Sequence, residues 1–176
     1  MTTGSHEGIP EEGAPYTRQM SLGSTVSYMD CLFSILAGSE ETDGRFGLME
    51  MVAPKGREPS RHLHYTDDEG FYVLEGKVTF YVGEEAYEAE PGTFVFLPHG
   101  VPYSYTFEID VVRMLAIMAP GGLEEHFRDA LLEPRLRQVS HGLGYRPQLL
   151  VAEALYAAVP EVHEVRAGHG SARGFV

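Results

Sequence analysis

The chain has 176 residues, 43% of them hydrophobic, which is enough for one buried core with short extensions. Its 26 acidic residues outnumber 13 basic ones, giving a formal charge of -13, and the basic residues form no cluster. Phosphate backbones and anionic membrane surfaces repel such a chain, so neither nucleic acid nor membrane is an expected partner.

Cys31 is the single cysteine, which excludes an intrachain disulfide and fits a reducing compartment. Residues 1–19 are polar, with no basic start leading into an apolar run. No apolar run reaches half of the about 20 residues that a membrane-spanning helix needs. The expectation is a soluble, cytoplasmic protein.

In chain order, residues 1–20 are rich in Gly, Glu, Thr and Pro and are expected to form a mobile N-terminal arm. Short runs of β-branched and aromatic residues then follow, separated by Gly and Pro. They predict strands at Thr25–Leu36, Arg45–Val52, Arg61–His64, Phe71–Leu74, Lys77–Val82, Ala86–Ala89, Thr93–Leu97, Tyr103–Phe107 and Val111–Met118. Many short strands joined by Gly/Pro turns indicate an all-β sandwich or barrel over residues 21–120. Beyond Gly122, Leu123, Phe127, Ala130 and Leu131 recur at helical spacing, and a second helical stretch is predicted from Pro147 to Val159. Residues 121–176 therefore read as a helical extension covering the outside or the mouth of the barrel.

The chemistry concentrates between Gly56 and Gly76. His62 and His64 stand at i and i+2, so in an extended segment both imidazoles project from one face and can meet a single ion. Glu69 follows one short turn later and can close a set of two His and one carboxylate, which leaves coordination positions open. From the His pair alone, two exposed histidines at a strand end explain the pattern equally well. Asp67 and Asp68 read as a solvated turn, and His99 as an exposed loop residue. Met49, Met51, Met114 and Met118 read as core filler or cavity wall. Tyr105 shares a face with Tyr103, and with Met114 it is a candidate for the substrate pocket. His6, His126, His141, His163 and His169 lie outside the strand pattern and read as surface residues.

The full spacing is more specific. Gly56, five residues, His62-x-His64, four residues, Glu69, six residues and Gly76 resemble the first cupin motif. Gly92, five residues, Pro98, one residue and Gly100 resemble the second. The resemblance implies a cupin jelly-roll barrel with one divalent metal ion (Fe, Ni, Mn, Co or Zn) held by His62, His64 and Glu69. The turn Pro120-Gly121-Gly122 leading into an amphipathic helix resembles small single-domain cupins, the branch that includes quercetin 2,3-dioxygenase-like and polyketide-tailoring proteins. That implies a dioxygenase acting on a flat aromatic small molecule, flavonol or polyketide, with Glu69 as ligand and base. It also implies a homodimer that pairs or exchanges the strand predicted at Thr25–Leu36.

The second motif departs from its family at one place. The fourth ligand of cupins, a His three residues after the second glycine, is replaced here by Tyr103. Three roles stay open for it: phenolate ligand, hydrogen-bond donor to a metal-bound substrate, or cavity wall. The missing His also leaves open a metal-dependent isomerase, cyclase, dehydratase or lyase with Tyr103 as general acid, and a non-catalytic binding or sensing module.

Overall fold

The computed structural model describes residues 13–21 and 25–132. Nine strands form two antiparallel sheets packed face to face. They are β1 Thr25–Tyr28, β2 Cys31–Ala37, β3 Gly47–Pro54, β4 Asp68–Glu75, β5 Val78–Val82, β6 Glu85–Ala89, β7 Phe94–Leu97, β8 Tyr103–Phe107 and β9 Val111–Ala119. The larger sheet runs β1-β2-β3-β9-β4-β7 and the smaller β6-β5-β8, the arrangement of an all-β jelly-roll barrel. A single helical turn, α1 Ser39–Thr42, follows β2, and helix α2, Leu123–Leu132, follows β9. No helix among the described residues is long and apolar enough to cross a membrane. The helix expected at Pro147–Val159 lies outside the described residues.

Alternation decides which side chains fill the barrel. Along β9, Val112, Met114, Ala116 and Met118 are buried, while the residues between them stay partly exposed. Met49 and Met51 on β3, Phe71 and Val73 on β4, Phe80 on β5 and Phe107 on β8 join them in one core. The four methionines are core residues, as expected. The rings of Phe71, Phe80, Tyr105 and Phe107 pack at tilted and edge-on angles with centroids 5.4–5.5 Å apart, forming an aromatic layer below the mouth.

Two expectations need correction. The run Thr25–Leu36 is two strands, because Met29 and Asp30 both adopt positive φ (51° and 62°) and turn the chain into the β1–β2 hairpin. The ion pair from Arg57 to Asp30, 2.5 Å, braces that turn. The run Arg61–His64 is not a strand either: residues 57–67 form a loop in which His62 alone makes a bridge, to Tyr103. Pro59 and the missing partner on the far side keep it from extending.

Carboxylates pin the described segments on either side of the barrel. Arg18 donates to the Leu36 carbonyl and pairs with buried Glu41 at 3.0 Å, so this part of the N-terminal segment lies against β2 and α1. On α2, Leu123 and Phe127 pack on the core, Phe127 lying 4.5 Å from the Phe33 ring. Glu124 is fully buried and accepts the backbone N–H groups of Ser39 (2.6 Å) and Gly122 (2.8 Å). Gly47 on β3 lies under this carboxylate, where a Cβ would stand 2.6 Å from Glu124 Cδ.

Candidate metal centre

Both motifs converge at one end of the barrel. Glu69 is the second residue of β4 and points inward, 7% exposed. Tyr103 opens β8 and is 2% exposed. His62 and His64, both half-buried, come from the loop before β4. They are placed by backbone bonds: His62 N–H donates to the Tyr103 carbonyl (3.0 Å) and Tyr103 N–H returns a bond to the His62 carbonyl (2.8 Å). Gly100 N–H donates to the His64 carbonyl (2.7 Å). The turn between β7 and β8 thus straps the histidine loop, and Gly100, at φ 76°, supplies the left-handed residue this turn requires.

The side chains form a tight cluster. The His62 ring centroid is 5.3 Å from His64 and 4.5 Å from Tyr103, and the His64 and Tyr103 rings lie nearly parallel, 6.0 Å apart. His64 Nε2 is 3.9 Å from Glu69 Oε2, too far for a hydrogen bond and about half an ångström beyond the roughly 3.4 Å of two tetrahedral ligands at about 2.1 Å each. His62 Nδ1 is 2.8 Å from the Ser60 carbonyl oxygen. Donation there fixes the tautomer that leaves Nε2 as a lone pair, the arrangement metal-binding histidines use. Tyr103 donates its hydroxyl proton to Glu69 Oε2. Around this set, Asp67 lies 3.9 Å from His64 Nδ1, and Asp68 accepts from both the backbone N–H (2.9 Å) and the ring Nδ1 (2.7 Å) of His99. His99 is exposed, as expected, but its tie to Asp68 was not legible in the sequence.

The electrostatics follow from burial. Burial pushes the Glu69 carboxyl up to about 7, although the Tyr103 hydrogen bond, which favours the charged form, works in the opposite direction. Burial, with the Glu69 charge beside it, holds the Tyr103 phenol well above its ordinary value, so Tyr103 keeps its proton. Burial and then neighbouring His62 lower His64, which favours the neutral imidazole that a metal requires.

Among the described residues, no three His, Cys, Asp or Glu side chains form a closed metal-holding group, and Glu69 is engaged by Tyr103. The donor chemistry nevertheless fits a divalent cation. Glu69 is a buried carboxylate whose one ion-pair neighbour among the described residues is an imidazole, and no Lys or Arg offsets its charge. Tyr105 lies one layer deeper on the inner face of β8, 7% exposed, and Met114 is fully buried in the core of β9. A groove of about 440 Å³ lies elsewhere, between the edge strands β6 and β7, and none of the candidate residues line it.

Residues 48–122 match the family described as Cupin domain. A quercetin 2,3-dioxygenase of Bacillus subtilis (strain 168) is 30% identical over 120 residues, covering 68% of this chain and 36% of the relative. An uncharacterised protein of Methanocaldococcus jannaschii is 32% identical over 56 residues, 32% of this chain and 45% of that one. The chain therefore spans less than half the length of either relative. The solved structure of Pac13 from Streptomyces, described as a nucleoside dehydratase, matches with a TM-score of 0.50 at 14% identity. That match covers 62% of this chain and 88% of the other and concerns the fold alone.

Proposed function

The chain belongs to the cupin superfamily, and from that premise we propose that it is a metal-dependent dioxygenase acting on a flat aromatic enol or phenol of the flavonol or polyketide type. The observation that carries this reading is the meeting of His62, His64, Glu69 and Tyr103 at the barrel mouth, with Glu69 buried and without a cationic partner. The similarity to a quercetin 2,3-dioxygenase supports it.

In this reading His62, His64 and Glu69 hold one divalent ion. When bound, the ion supplies Lewis acidity and a route for electrons between an enol and dioxygen. The remaining work belongs to the protein. Glu69 accepts the substrate hydroxyl proton as it turns away from Tyr103. Tyr103, which keeps its own proton, donates a hydrogen bond to the oxygen that gains charge. Tyr103 and the aromatic layer beneath it exclude water from the reacting atoms.

The Tyr103–Glu69 hydrogen bond favours one second reading, because an acid and a base already face each other there. An isomerase, cyclase, dehydratase or lyase would use that pair without oxidation. Oxygen-electrode measurement on metal-loaded protein with quercetin separates the two. Substrate-dependent oxygen uptake is the expected result. Turnover of the same substrate under strict anaerobiosis would overturn the dioxygenase and favour the second reading.

A further inference from the structure

Tyr105 carries a polar atom that neither the fold nor the chemistry above employs. Its ring does the work of a phenylalanine, packed against Phe71, Phe80 and Phe107. Its hydroxyl makes no hydrogen bond among the described residues. Nor is the residue wholly sealed: Tyr105 keeps 7% of its surface exposed. Among the ionisable groups whose charge reaches it are Glu69, Cys31 and Glu58. Each of them is committed elsewhere. Glu69 accepts from Tyr103, Cys31 Sγ points at the Met29 and Arg57 carbonyls, and Glu58 accepts the Phe107 N–H at 2.9 Å.

Burying a phenol in an aromatic cluster is harder than burying a benzene ring, and a polar group without an internal partner asks for an external one. We propose that the Tyr105 hydroxyl is the inner recognition point of the substrate site, donating a hydrogen bond to a carbonyl or enolate oxygen of a planar aromatic ligand that enters past Glu69 and Tyr103. This rests on the reading of the chain as an enzyme for such substrates. Burial and the nearby Glu69 charge keep the phenol protonated, so it serves as donor. A site built this way selects ligands with an acceptor oxygen at their leading edge and rejects hydrocarbons of the same outline, which would leave the hydroxyl unpaired.

Tyr105→Phe tests this with two measurements. In the ligand-free protein the substitution removes an unpaired hydroxyl, so the melting temperature is expected to stay level or rise. In an anaerobic absorbance titration with quercetin, affinity is expected to fall about tenfold, the loss of one hydrogen bond. A melting temperature lowered by more than about 3 °C overturns the proposal, because the hydroxyl then serves the fold through a buried water. Equal quercetin affinity in both proteins overturns the role of Tyr105 and leaves the proposed function standing. Wild-type protein that ignores quercetin while turning over another substrate class overturns the planar aromatic ligand itself.

Discussion

Replacing Tyr103 by Phe removes one atom, and the structure fixes what that atom does in the metal-free protein. The hydroxyl donates to a carboxylate that is nearly excluded from solvent. Because the folded-state value of Glu69 is raised, to about 7 from 4.5, this group favours folding fully below about pH 4.5 and that contribution is lost as pH rises through 7. The difference corresponds to about 3 kcal/mol by pH 8, where Glu69 is charged. There the Tyr103 bond is charge-assisted and worth about 1.5–3 kcal/mol; at pH 5, where Glu69 is protonated, it is an ordinary bond of about 0.5–1.5 kcal/mol. Tyr103→Phe should therefore lower the melting temperature of chelator-treated protein by roughly 4–10 °C at pH 8 and by clearly less at pH 5. Differential scanning calorimetry at the two pH values reads this directly. Equal losses at both, or none at either, would refute the reasoning. In metal-loaded protein the same variant is expected to keep its metal and lose turnover on the order of a hundredfold. Loss of metal instead would make Tyr103 a ligand.

Further expectations concern the ion, the seat of α2 and the assembly. His62→Ala, His64→Ala and Glu69→Ala should each lower metal content severely by elemental analysis; a folded His64→Ala protein with wild-type content would remove that residue from the set. Gly47→Ala drives a Cβ toward Glu124, held in place by Ser39 and Gly122, so it should cost about 1–3 kcal/mol in urea unfolding. An unchanged midpoint would show that α2 is not seated on β3. We expect two chains per particle by light scattering at micromolar concentration, since β1 leaves one edge of the larger sheet open; a monomer would refute this.

The barrel was legible because β7, β8 and β9 alternate cleanly, β9 burying every second residue, and Gly/Pro turns mark the boundaries. The first strand was misread because Met29, an unlikely residue for positive φ, hides the hairpin turn. His62 and His64 were placed on one strand by their spacing, yet backbone bonds from Gly100 and Tyr103, far along the chain, place them. Spacing carries no record of such a partner. For the same reason the Tyr103–Glu69 bond was invisible: 34 residues separate its ends, which stand on strands of different sheets. Glu124 read as one more charge on an amphipathic helix, since nothing local reveals that Ser39 and Gly122 will present their amides to it.

The strap between the second motif and the histidine loop separates two jobs that one residue could have combined. Position 103 ties the His62 backbone through its own N–H and carbonyl, which every amino acid except proline supplies, while its ring packs 4.5 Å from the imidazole. What projects into the barrel from position 103 is thus separate from the bonds that tie the His62 backbone. A chain built this way can exchange histidine for tyrosine there without rebuilding the scaffold around its donors. Substituting other polar residues at position 103 should therefore vary the chemistry offered to a ligand while the His62 backbone stays tied, which makes it the natural place to retune the site by design.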